Sequence, residues 1–324
     1  LQEKHAIEAE LLFAKAGQLL ANFKGDAKRK ATMEQATLGQ LAQLAMKRKD
    51  WKTAHEKLEA LLKLSPDNAT TLEMLARTLF EQKKPDEAME KLKAAVAVNK
   101  DTLTPDARMA LWWEGAGDRK KAGEAMVEAL NAKPQDFKTR LTAADWALQS
   151  KSFDQARQQA DIAIKLDPNS VKAKVLAGNI ALFQKDYPAA AKYYQEVLTL
   201  EPQNFTASNN LALALCDQGD DKNIQLAGQY ATMNAKLYPN QPEPYSTLGW
   251  VFFKMNKVRE AEQALRRAAS AGRSLRPDTA YYFACVYAAT DRNAEAKKLL
   301  GSALKTKGLF SEREAAQALL DKLK

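Results

Sequence analysis

Between residues 171 and 200 the small and apolar positions recur at three- and four-residue intervals. Ala177, Gly178 and Ala181 make one stripe, and Tyr187, Ala190, Tyr194 and Val197 make a second. This i, i+3, i+4, i+7 spacing puts each set on one face of a helix, whereas a strand would alternate its faces residue by residue. The polar turn Gln184-Lys185-Asp186 separates the stripes, and Glu201-Pro202-Gln203 follows the second. Proline ends a helix by removing an N–H, and Asp or Asn caps the next one. The segment therefore predicts two short antiparallel helices.

The same unit recurs along the chain. Prolines fall at Pro134, Pro168 and Pro202 in steps of 34, with Pro66 two steps earlier and Pro239 37 residues later, in the contexts LSPDN, AKPQD, LDPNS, LEPQN and YPNQP. One column of small residues runs through Ala54, Ala88, Ala122, Ala156, Ala190, Ala227, Ala261 and Ala296. A second runs through Ala42, Ala76, Ala110, Ala144, Gly178, Ala212, Gly249 and Ala284. Two helices approach closely only where both present Ala or Gly at the crossing, so two such columns per period imply paired helices stacked in an array. The registers give eight repeats, starting near 35, 69, 103, 137, 171, 205, 242 and 277 and occupying residues 35–310. Residues 1–34 read as an N-terminal cap helix or partial repeat (helix over 3–23), and residues 311–324 as a C-terminal cap helix opened by a Ser311-x-x-Glu314 capping box. Both ends are expected to be solvated. Three extra residues around Asp220–Gln225 are expected to lengthen the turn of the sixth repeat.

These residues resemble the tetratricopeptide repeat family, whose pattern asks for a bulky residue at position 4, Leu at 7, Gly or Ala at 8, Tyr at 11, Ala at 20, an aromatic at 24, Ala at 27 and Pro at 32. The repeat from Val171 supplies Gly178, Ala190, Tyr194 and Pro202. The repeat from Pro242 supplies Tyr245, Leu248, Gly249, Phe252, Ala261, Leu265 and Ala268. The third repeat departs with Met109-Ala110. The resemblance implies an all-α, right-handed superhelical solenoid of antiparallel helix pairs whose first helices line a concave groove. By the family's groove positions, the partner-binding residues would be Arg77, Phe80, Lys138, Asp145, Lys172, Asn179, Phe183, Asn209, Asn210, Trp250, Phe253 and Tyr281. The rings of Trp250, Phe253 and Tyr281 can anchor a peptide or pack beneath the C-terminal helix, and the spacing leaves both open. Some family members hold chaperone C-termini with a dicarboxylate clamp. Here Asn179 and Asn210 match it, but Val175 replaces a Lys and Glu243 and Thr247 replace the basic pair, which argues against that ligand.

Composition narrows the chemistry. With 46% apolar and 27% charged residues and only 13 Gly and 11 Pro, the chain is a globular helix former. No apolar run reaches 18 residues, so no transmembrane helix is expected. The net charge of +9 gathers towards the C-terminus. Arg259, Arg266, Arg267, Arg273 and Arg276 form an expected outward-facing basic patch, either plainly solvated or open to an acidic partner or anionic polysaccharide. Forty acidic residues along the same helices argue against nucleic acid. His5, His55, Cys216 and Cys285 make no metal-ligand or nucleophile spacing and no phosphate loop exists, so no metal, cofactor or catalytic residue is expected. The two cysteines lie two repeats apart, too far to bond.

The C-terminal half, FTASNNLALALCDQGDD followed by YPNQPEPYSTLGWVFFKMNKVREAEQALRRA, is similar to bacterial repeat proteins of envelope assembly and exopolysaccharide export. That resemblance implies a non-catalytic scaffold binding a protein segment in an envelope or export complex. It favours a periplasmic or envelope setting, any export signal having been removed or lying outside this sequence. The alternatives are a substrate-recruiting arm of a larger enzyme such as a transferase, and direct binding of an anionic polysaccharide.

Overall fold

The structure, a computed structural model, describes residues 2–272 and 274–323, with side chains from residue 8 onward apart from residue 10. Among these residues there are eighteen helices and no strand. Chain contacts divide them into two units, Leu1–Thr139 and Arg140–Lys324, the division falling within the first turn of α8.

The first unit holds α1 (Gln2–Ala21), α2 (Ala27–Lys47), α3 (Trp51–Leu64), α4 (Ala69–Glu81), α5 (Pro85–Val98), α6 (Pro105–Gly115) and α7 (Arg119–Ala132). Consecutive helices pack as hairpins, α2 on α3, α4 on α5 and α6 on α7. Its core is a run of small and aliphatic side chains including Ala42, Leu58, Leu75, Ala76, Leu79, Ala88 and Leu92. Helix α2 starts at Ala27, ahead of the repeat register at 35, because Asp26 accepts a hydrogen bond from the Arg29 amide and caps it there. The N-terminal end is not uniformly polar. Leu11, Leu12 and Leu19 on α1 are exposed.

The second unit holds most of α8 (Phe137–Gln149), then α9 (Phe153–Leu166), α10 (Val171–Phe183), α11 (Tyr187–Leu200), α12 (Phe205–Gln218), α13 (Asp221–Leu237), α14 (Pro242–Lys254), α15 (Val258–Ala271), α16 (Pro277–Ala288), α17 (Asn293–Leu304) and α18 (Arg313–Leu323). Again each odd helix packs against the even helix before it, and first helices also meet across repeats, α10 with α12, α12 with α14 and α14 with α16. The small-residue columns sit at the crossings. Every alanine in both columns is fully buried, and a Cβ on Gly178 or Gly249 would overlap the facing Tyr194 or Leu265. Tyr194 itself is fully buried.

The turns inside the hairpins are alike. Lys49, Lys83, Gly117, Lys151, Lys185, Gly219, Asn256 and Asp291 all have positive φ, near +57° to +86°. In all of them except the one at Gly219, the following amide reaches back to the carbonyl five positions earlier, as in Asp50 to Ala45 (2.9 Å) and Asp186 to Ala181 (2.9 Å). This left-handed C-terminal cap satisfies carbonyls the helix would leave open and reverses the chain within a few residues. The next residue then starts the second helix: Asp50, Asp118 and Asp186 each cap it with their carboxylates.

Two details differ from the sequence expectation. The three extra residues of the sixth repeat do not lengthen its turn. Helix α12 ends at Gln218, Asp220 caps α13, and α13 runs for 17 residues where its counterparts have 14 or fewer. At the C-terminus α18 starts at Arg313, and the Ser311 hydroxyl donates to Asp278 (3.1 Å) in place of forming the expected capping box. Helix α18 packs through Ala316, Leu319, Leu320 and Leu323 on α16 and α17.

Candidate functional site

The first helices of the second unit enclose a cavity of about 700 Å³. Position along each helix decides what it contributes. Leu148 of α8, Leu176 and Phe183 of α10 and Leu213 of α12 supply apolar wall, while Asn179, Asn209 and Asn210 supply amides between them. Glu243, Ser246 and Asp278 of α14 and α16 close the far side, and Leu309 and Ser311, from the segment joining α17 to α18, complete it.

The amides form a ladder. The Tyr194 hydroxyl donates to Asn179 Oδ1 (2.7 Å), Asn210 Nδ2 donates to the same oxygen (3.1 Å), and Asn209 Nδ2 reaches Asn210 Oδ1 (3.4 Å). Asn209 is 7% exposed, and its Oδ1 is buried with no hydrogen-bond partner. An unmet buried acceptor costs about 1–3 kcal/mol, so this one is a point where an added donor would be welcome. On the opposite wall Ser246 and Thr279 share a buried hydroxyl contact (2.7 Å).

Behind that wall is a buried aromatic and acidic cluster. Trp250 is 6% exposed, stacks on Tyr282 (centroids 4.5 Å apart) and Phe253 (5.7 Å), and donates its indole N–H to Asp217 (3.0 Å). Lys254 pairs with the same carboxylate at 3.4 Å. Burial pushes Asp217 above the usual carboxylate range against the opposing pull of Lys254 and Trp250. Burial likewise raises Asp278, opposed by Ser311 and Arg276. It raises Glu312 too, where Asp217 and Asp278 add like-charge repulsion and Lys185 opposes. Burial holds both thiols protonated, Cys216 pushed up to about 12 and Cys285 to about 11. A thiol so raised is a packed hydrophobe with no useful nucleophilicity.

Of the residues expected to bind a partner, the structure gathers Asp145, Asn179, Phe183, Asn209 and Asn210 around this one cavity, with Arg276 beside them. Trp250 faces the interior, Phe253 and Tyr281 are half-buried against it, and Lys172 is exposed elsewhere on α10. In the first unit, Phe80 is buried against Trp112 and Trp113, and Arg77 lies over the Phe80 and Trp112 rings and pairs with Glu81. Lys138 donates to the Asp101 carbonyl.

Arg266 pairs with Glu262 (2.7 Å), which Arg292 also grips through both guanidinium nitrogens, while Arg267 lies over the Tyr245 ring (4.4 Å). Arg276 reaches Glu243 (3.7 Å) on the groove side and Arg259 is exposed. Arg273 and the side chain of His5 lie outside the described residues. His55 is half-buried, its Nε2 3.3 Å from Glu59. The sequence register missed Leu309 and Ser311, because nothing local marks a loop that returns to helices far earlier in the chain.

Tetratricopeptide repeat profiles match residues 45–111, 141–204 and 175–241, together more than half of the sequence. The chain belongs to the tetratricopeptide repeat family. Among solved structures, a tetratricopeptide repeat protein from Parabacteroides merdae aligns with a TM-score of 0.51 at 14% identity, over 90% of this chain and 98% of its own. A thermophilic tetratricopeptide repeat protein from Thermus thermophilus aligns with a TM-score of 0.50 at 15% identity, over 58% and 98%. PilW, a type IV pilus biogenesis factor, aligns with a TM-score of 0.50 at 17% identity, over 61% and 90%. At such identities the likeness is one of fold. No curated protein sequence matches the chain. The tetratricopeptide repeat fold supports a role as a protein–protein interaction scaffold. No helix among the described residues is long and apolar enough to cross a membrane.

Proposed function

We propose that this tetratricopeptide repeat protein is a non-catalytic scaffold whose second unit holds an extended segment of a protein partner in the cavity between α8, α10, α12, α14 and α16. The observation that carries this is the alternation of apolar wall and amide ladder. Leucine-lined seats take side chains, and Asn179, Asn209 and Asn210 offer paired donors and acceptors to a peptide backbone, whose N–H and C=O need both. The buried Asn209 oxygen is the acceptor such a backbone would satisfy. The titratable groups nearby fit the same reading. The thiols raised by burial are poor nucleophiles, and Asp217 and Asp278 are already engaged, the first by Lys254 and Trp250 and the second by Ser311. An envelope or export complex is the setting implied by the sequence of the C-terminal half.

The test is a photo-crosslinking amino acid placed at Leu213, which lines the cavity, in cells of the native organism. The expected result is a crosslink that maps to one extended segment of one protein and disappears in Asn179→Ala/Asn210→Ala chains that remain folded. Crosslinks scattered over many proteins, or unaffected by the double substitution, would sink the proposal.

A further inference from the structure

The segment between α17 and α18 does more than join them. Helix α17 ends at Leu304 and α18 begins at Arg313. Between them the chain leaves its own repeat: Leu309 packs against the cluster built by Ala144, Leu148, Leu176 and Ala177 on α8 and α10. Two residues later Ser311 donates to Asp278, on the opposite side of the same cavity. The same segment is also anchored away from the groove. Phe310 is buried among α16, α17 and α18, and Arg313 stacks over it while donating to the carbonyls of Leu304 (2.8 Å) and Thr306.

Resting on the groove reading above, we propose that Thr306–Glu312 is a built-in strap that occupies the partner cavity, and that a partner segment binds by displacing it. The occupant also states the partner's chemistry. It is an extended stretch with a leucine-sized side chain for the seat of Leu309 and, two residues on, a hydroxyl for Asp278.

Three features distinguish a strap from a permanent wall. Its hold on the groove itself is one half-buried leucine and one side-chain hydrogen bond, and Lys305, Lys307 and Gly308 are exposed; so few groove contacts mean a low free energy for releasing Leu309 and Ser311, while the buried Phe310 keeps the segment tethered to α16–α18. It leaves the cavity incompletely used, with about 700 Å³ still open and Asn209 Oδ1 unmet. It also carries Glu312 towards two other carboxylates, Asp217 and Asp278, a like-charge crowding that its departure relieves, with Lys185 the cation acting against it.

The experiment uses the full chain and a fluorescein-labelled peptide of sequence KTKGLFSER, identical to residues 305–313, read by anisotropy. Loosening the strap with Leu309→Gly/Ser311→Ala, and separately with Leu309→Ala as the milder variant, removes the competitor but leaves every groove wall residue on α8–α16 in place. We expect the peptide to bind the loosened chains at least tenfold more tightly than the wild-type chain. In the wild type, saturating peptide is expected to speed amide exchange at 306–312 while slowing it in α10 and α12. Equal affinity for wild-type and loosened chains, or protection of α10 and α12 with no change in the strap, overturns displacement. Absence of binding to both loosened chains overturns the strap as a groove ligand. Neither of these results touches the groove reading, which fails only if the Leu213 crosslinker finds no defined segment.

Discussion

The close approach of α14 and α15 makes a quantitative test of how the array is held together. A Cβ added to Gly249 on α14 would lie 2.5 Å from Leu265 Cγ, 2.8 Å from its Cδ2 and 3.1 Å from the Ala261 carbonyl oxygen on α15. Leu265 is fully buried and has nowhere to turn, and the carbonyl is backbone. Forcing a methyl into such a site costs about 1–3 kcal/mol. Against this, alanine is favoured over glycine in a helix by about 1 kcal/mol. Gly249→Ala should therefore destabilise by about 1 kcal/mol, the excess of the steric cost over the gain in propensity. Gly301 on α17 is the control, because no heavy atom lies within 4 Å of its would-be Cβ. Gly301→Ala should stabilise by about 0.5–1 kcal/mol, helix propensity acting alone. The difference, about 2 kcal/mol, is the steric contribution. Urea unfolding followed by circular dichroism gives both values. A double-mutant cycle sharpens the test: Leu265→Ala removes the two shortest contacts and leaves only the Ala261 carbonyl at 3.1 Å, so in that background Gly249→Ala should lose most of its destabilising effect. If Gly249→Ala stabilises the otherwise wild-type chain as much as Gly301→Ala does, the close-packing argument is wrong.

Lys151 holds a left-handed backbone (φ +62°) at an exposed turn, so Lys151→Gly should stabilise by about 0.5–1 kcal/mol, and an unchanged urea midpoint would show the turn unstrained. Lys254→Met strips Asp217 of its cation while leaving the carboxylate buried. Lys254 is itself one-third exposed, which brings the expected loss at pH 7 to about 2 kcal/mol, below that of a fully buried pair. Since Asp217 already titrates above its ordinary 3.8 and loses a stabilising neighbour, the deficit should grow as pH rises through its folded pKa and vanish near pH 3, where it is protonated folded or unfolded; a pH-independent deficit would argue that Lys254 acts by packing. With Cys216 buried and Cys285 half-buried, raised to about 12 and about 11, a thiol-reactive disulfide reagent at pH 8 should react only slowly with either in the native chain and fast with both in urea, and a rapid native burst would refute the raised thiols.

The helices and their pairing were legible because they depend on neighbours within one turn or one repeat. Small residues at a 34-residue spacing leave no other economical packing, and Asp50, Asp118, Asp186 and Asp220 mark the starts of four of the second helices. The turns were less legible. Glycine at Gly117 and Gly219 hints at a left-handed cap, but lysine at 49, 83, 151 and 185 gives no such sign, since the conformation there is imposed by the two helices it joins. The extra residues of the sixth repeat were counted correctly and placed wrongly, because whether an insertion extends a loop or a helix depends on whether its backbone can be capped, as Asp220 does.

What the sequence alone determined is the repeating helix pair, with its small-residue crossings and the asparagines that recur at groove positions, all set by spacing along the chain. What only the tertiary structure decided is which of those positions line the cavity. Trp250 turned inward because Asp217 and Tyr282, far away in sequence, offer a buried hydrogen bond and a stacking face. Leu309 and Ser311 entered the groove because the path from α17 to α18 crosses it. Such placements rest on contacts between residues many helices apart, and no local pattern encodes them.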